Sequence, residues 1–135
     1  MSSTRPSAAV RQVLEAQLDS FEKLETALAL HRAPAHTSSV PELAKEVQLS
    51  EDVVERTVDE LRRGGLVHVA GGLVRLTLQP ADAAAVSELA ELYDEDRVLV
   101  VRTLSEIAVE KIRSMAARTF ADAFQLRRKK RDSDG

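Results

Sequence analysis

From Ser39 to Thr77 the sequence sets out helix starts, a helix stop and a hairpin turn so closely that few folds remain open to it. Ser39-Val40-Pro41-Glu42 has the S-x-x-E form of a capping box, in which the hydroxyl covers a free helix N–H and the glutamate reaches back. Pro41 falls in the first turn, where its missing N–H costs nothing. Leu43, Ala44 and Val47 then give about two turns of apolar stripe. Ser50 is a second N-cap, with Glu51 and Asp52 in the first turn, where the helix dipole favours acids. Val54, Val58 and Leu61 recur at i, i+4 and i+7, so one face of this second helix is buried. Gly64-Gly65 stops it. Leu66-Val67-His68-Val69 and Leu73-Val74-Arg75-Leu76 flank Gly71-Gly72, the signature of a two-residue hairpin whose turn needs positive φ.

Helix, turn, helix and hairpin in that order resemble the winged helix-turn-helix regulators of the MarR and related bacterial families. The residues that carry the likeness are Leu43-Ala44, Leu49-Ser50, Val54, Val58, Leu61 and Gly65-Leu66-Val67, followed by the glycine-tipped wing. The likeness covers the middle third of the chain. It implies a mainly α fold, with a winged helix-turn-helix core, a two-stranded β-hairpin wing, and long N- and C-terminal helices added to it. It also implies a transcriptional regulator that binds double-stranded DNA, because in such proteins the N-terminal end of the second helix enters the major groove. On this chain those positions are Glu51, Asp52, Val53, Glu55 and Arg56. Arg56 is then the base reader, and Arg62, Arg63, His68 and Arg75 supply backbone contacts from the helix end and the wing.

Three of those five positions are acids, and DNA affinity comes largely from neutralising phosphates with Lys and Arg. A carboxylate can accept from cytosine, but three together repel a polyanion. Since a fold is not a function, a second reading stays open. It is a non-catalytic winged-helix interaction module whose helix docks a protein partner through Glu51, Asp52, Glu55 and Asp59.

The chain has 135 residues, enough for one domain with an extension, and its 44% apolar and 30% charged content is that of a globular protein. With 3% aromatics and no tryptophan, the core must be built from Leu, Val, Ala and Ile. There is no cysteine, which excludes disulfides and thiol zinc sites. No apolar run approaches the roughly 20 residues of a membrane span, and residues 1–30 lack a signal-peptide h-region. The expectation is a cytoplasmic protein without membrane contact.

Residues 1–6 read as a flexible N-terminus, and 7–78 as an N-terminal helix joined to the winged domain. From Ser7 to His31, Val10, Val13, Leu14, Leu18, Phe21, Leu24 and Leu28 recur at helical steps, which predicts one amphipathic helix. Arg32 to Ser38 is a polar connector around Pro34. Residues 79–126 form a C-terminal helical extension that opens at Pro80 and Asp82. Val98-Leu99-Val100-Val101 is apolar most of the way round, so it is buried on more than one side. Val98, Val100, Val101 and Leu104 are therefore the candidate interface of a homodimer. Thr103-Leu104-Ser105-Glu106 offers a further capping box at which this long helix can break. Ile107, Ile112, Met115, Phe120 and Phe124 give the last helix an apolar face, and residues 127–135 read as a basic, disordered tail.

The net charge of −3 is unevenly spread. Residues 79–96 hold six acids and no base, whereas 113–135 hold seven bases against three acids. Such a dipolar chain suits self-association, nucleic acid or a charged protein partner. The run Arg127-Arg128-Lys129-Lys130-Arg131 can serve helix-end electrostatics and solubility, a nucleic-acid arm, or a patch for acids such as 79–96 of another subunit. No enzyme motif is present, neither a phosphate loop, H-E-x-x-H nor G-x-S-x-G, and no catalysis or cofactor is expected. His31, His36 and His68 share no close motif with a carboxylate, and the acids Glu88 to Asp96 read as a solvated helix face.

Overall fold

Ten segments, six of them α-helices, make up the described part of the chain. A computed structural model describes residues 5–133, with side chains described through residue 126. Met1 to Thr4, most of the stretch expected to be loose, lie outside the described residues. The architecture is mainly helical with one small antiparallel sheet.

The N-terminal helix is two helices, α1 (Ala8–Ala16) and α2 (Phe21–Arg32). Ser7 caps α1 by accepting from the Val10 N–H, and Ser20 caps α2 by accepting from the Lys23 N–H. Between them Leu18 folds back and donates its N–H to the Val13 carbonyl, which keeps its side chain fully buried. The expected single helix is thus corrected. The apolar spacing runs straight through the joint, and only the cap at Ser20 marks it.

All five residues from Thr26 to Leu30 are buried, so α2 is enclosed on every side. It packs against α3 (Val40–Val47), α4 (Glu51–Arg63), α5 (Pro80–Glu95) and strand β3 (Leu73–Leu76). Fully burying each of Leu24, Leu28 and Leu30 stabilises by about 1.5–3 kcal/mol relative to exposure.

Ser39 accepts from the Glu42 N–H, as the capping box requires, but Glu42 lies beside the Ser38 hydroxyl at 3.4 Å instead of reaching back. The turn after α3 rests on Gln48 in the left-handed region (φ 59°), with the Leu49 N–H bonded to the Ala44 carbonyl. At the end of α4, Gly65 (φ +79°) closes a Schellman motif. Its N–H reaches the Arg62 carbonyl, and the Leu66 N–H reaches that of Leu61. Gly71 and Gly72 both have positive φ and join β2 (Val67–Ala70) to β3.

The sheet has three strands, not two. Strand β1 (Thr37–Ser38) pairs with the far side of β3, Thr37 opposite Arg75 and Ser38 opposite Val74, giving the order β1-β3-β2. A two-residue polar strand has no alternation to read, so this part of the expected connector was not legible.

Helix α5 ends at Glu95, and Asp96 caps α6 (Arg97–Ser133) by accepting from the Leu99 N–H. The expected break at Thr103 to Ser105 does not occur. Both hydroxyls donate to carbonyls one turn back, Thr103 to Leu99 and Ser105 to Val101, and the helix runs on. Its backbone stays helical to Ser133, where a disordered tail was expected. The side chains of the basic run 127–131 lie outside the described residues.

Only the start of α6 is held by the body of the protein. Val100, Thr103, Leu104 and Ile107 are buried in it, and every residue from Ala108 to Leu126 is exposed. Arg11 meets Glu110 at 3.1 Å, and Lys111 meets Asp19 at 2.6 Å while donating to the Glu15 carbonyl. Val100 and Leu104 therefore belong to the chain's own core, which corrects their expected place in a dimer interface. Val98 is exposed and Val101 half-buried.

Tyr93 fastens α5 to α2, its hydroxyl donating to Glu25 at 2.6 Å beneath the Arg97 guanidinium. Burial, then the bond to Glu25 and its charge, push the phenol up to about 12 from 10.0. A raised folded-state value means that this contact's contribution is complete below pH 10 and is lost as pH rises through 12. Tyr93 is the chain's one tyrosine, so its phenolate absorbance reports it directly. The expected midpoint lies near 12 in the folded protein and falls toward 10 in Glu25→Gln.

Candidate functional site

Helix α4 is two-faced. Val54, Thr57, Val58 and Leu61 are buried against the body, while Glu51, Asp52, Glu55 and Arg56 are exposed on the outer side of its first two turns. Ser50 caps the helix by accepting from the Val53 N–H, and Thr57 donates back to the Val53 carbonyl, so the exposed residues stand on a well-bonded scaffold. Glu51 and Asp52 lie where the dipole rewards acids by about 0.3–1 kcal/mol each.

The basic candidates divide into two groups. Arg62 and Arg63 both pair with Asp59, at 2.7 and 2.9 Å, so two expected DNA contacts and one expected partner-binding acid form a single local cluster. The Arg62 hydrogen bond and both guanidinium charges hold the Asp59 carboxyl below its usual range. Arg56, His68 and Arg75, by contrast, make no ion pair or side-chain hydrogen bond among the described residues. His68 and Arg75 are cross-strand partners on the exposed face of the hairpin, with Thr37 on the other side of Arg75. The structure thus brings together His68 with Arg75, and Arg62 with Arg63. Among the acids, Glu51, Asp52 and Glu55 carry no partner among the described residues, and neighbouring Glu60 is drawn 3.6 Å from Lys23 of α2.

Two features escaped the sequence pattern. Val69 and Leu73, beside the glycine turn, are exposed apolar residues at the hairpin tip, although alternation reads them as strand residues no different from Val74. His31 and His36 stack with ring centroids 5.5 Å apart, and burial, then the His36 and Arg32 charges, lower the His31 pKa. No three or more metal-ligating side chains come together among the described residues. No helix there is long and apolar enough to cross a membrane. Compared with known proteins, the sequence matches no family model and no curated protein.

The Asp59 cluster gives a test by carboxyl NMR. Asp59 should titrate below its ordinary value of 3.8 in the folded protein and return toward it in an Arg62→Ala, Arg63→Ala double variant. Because the folded value is depressed, the contribution is present above the unfolded pKa and fades as pH falls through the folded one.

Proposed function

We propose that α3, α4 and the β2–β3 hairpin are a winged helix-turn-helix, and that the protein is a non-catalytic transcriptional regulator that binds double-stranded DNA as a dimer. The observation that carries this reading is the set of side chains left unpaired among the described residues on outward faces of these elements. Arg56 stands on α4, with His68 and Arg75 side by side on the hairpin. In a helix-turn-helix the outer face of the second helix lies in the major groove and flanking cations neutralise phosphates. Arg56 is placed for a base edge, and His68 and Arg75 for the backbone. Arg62 and Arg63 join them when phosphate competes with Asp59, since exposed ion pairs are worth little.

A second reading is favoured by three acids at the start of α4 that are unpaired among the described residues. Glu51, Asp52 and Glu55 present a negative surface suited to a basic protein partner. One experiment separates the two: binding to duplex fragments across salt concentrations. On the DNA reading, Arg56→Ala costs about 1–3 kcal/mol and relaxes preference at one base position. Glu51→Gln with Glu55→Gln strengthens binding overall, because two charges that repel phosphate are removed. A specific DNA complex indifferent to Arg56→Ala and to the Gln pair would place the interface on another face. Weak, unspecific DNA binding in every variant would favour the protein-docking reading.

A further inference from the structure

Past Lys111, which bonds Asp19 and the Glu15 carbonyl, every residue of α6 described to Leu126 is exposed, yet its outer side is apolar. Val98, Val101, Val109, Ile112, Ala116 and Phe120 follow one another at steps of three, four or eight residues. The eight-residue step is bridged by Ser105, so all lie along one side of the helix. This stripe is turned away from the buried Val100, Leu104 and Ile107, and Ile112 and Phe120 are 66% and 75% exposed. It therefore continues from the attached part of α6 onto the projecting part, with Ser105 as its polar position between Val101 and Val109. A 37-residue helix is about 55 Å long, ample for a paired seam.

The charge at its two ends says what covers it. Beside the start of α6, residues 88–96 carry five acids and no base. Asp94 pairs with Arg32 and Asp96 caps α6, while Glu88, Glu91 and Glu95 have no partner among the described residues. The far part, residues 113–131, carries seven bases against Asp122. Laid antiparallel on itself about Ile112, the helix sets Glu106 of one copy level with Arg118 of the other and Arg102 level with Asp122, so opposite charges meet along the seam. A parallel pairing would set like against like.

We infer that α6 is the docking surface for a second copy of this chain, joined antiparallel along the stripe with Ile112 at the two-fold axis. This rests on the dimeric part of the proposed function but not on its DNA-binding part.

The chain has no cysteine, so single cysteines give a clean test in the full-length protein. Ile112→Cys, placed at the axis, should form a disulfide-linked dimer on mild oxidation. Phe120→Cys should not, because its copies lie roughly 24 Å apart along the helix, beyond disulfide reach. In sedimentation, Ile112→Asp should raise the dimer dissociation constant at least roughly tenfold, because it buries a charge at the seam. Its far-UV circular dichroism should be unchanged, because Ile112 is exposed in the single chain. Efficient linking of both cysteine variants would mean a parallel pairing and overturn the inference. A wild-type dimer undisturbed by Ile112→Asp would overturn it too, while leaving a dimer through another surface. A wild-type monomer at micromolar concentration would overturn both this inference and the dimeric reading, with the DNA interface on α4 still open to its own test.

Discussion

The enclosure of α2 is the constraint on which the other elements depend. Thr26 to Leu30 are buried without interruption, so each side of this helix needs a neighbour. Helices α3 and α4, helix α5 and strand β3 supply them. Ala27 and Ala29 let those neighbours come close, and Leu24, Leu28 and Leu30 fill the space between. Thr26 shows the cost of so complete a burial: its hydroxyl has no hydrogen-bond partner among the described residues. With α2 fixed, the inner stripe of α4 is fixed too, and its outer residues can only face away from the body.

Charge does two kinds of work around this core. Asp19 is held by Lys23 and Lys111 together, so one carboxylate ties the α1–α2 joint to α6. Burial raises the Asp19 pKa, but the bonds and charges of Lys111 and Lys23 outweigh that and lower it overall. On α4 the same chemistry sets a conflict. Glu51 and Asp52 suit the helix dipole and hinder approach of a phosphate backbone. Asp59 masks Arg62 and Arg63 in the free protein. The proposed DNA surface is thus weakly basic at best, which favours a modest affinity that depends on the second half-site of a dimer.

Much of the middle of the chain was legible because single residues there have single physical uses. Ser39 and Ser50 had to cap, and Gly65, Gly71 and Gly72 supply the positive φ of a helix stop and a tight turn. Elsewhere periodicity misled. Its apolar steps cross the joint at Gln17 to Ser20 unchanged, so two helices read as one. Around Val98 to Val101 the helix is apolar all round, and spacing alone cannot tell Val100, which faces the body, from Val98, which faces away. Thr103 and Ser105 have the residue types of a cap, yet within a helix the same hydroxyls bond the preceding turn. At the candidate site the exposed residues of α4 were foreseen, because its buried stripe defines the other face. The pairing of Asp59 with Arg62 and Arg63 was open to a reading of i, i+3 and i, i+4 spacing. That Arg56 and Arg75 stay unpaired among the described residues needed the structure.

DNA contact by the outer face of α4 and the β2–β3 hairpin, as proposed, is open to direct measurement. Amide hydrogen exchange, with and without saturating duplex at low salt, tests it most directly. Contact there should add protection in α4 from Glu51 to Arg63 and in the hairpin from Val67 to Leu76. Protection confined to α6, or none in α4 and the hairpin under conditions where DNA is bound, would contradict it.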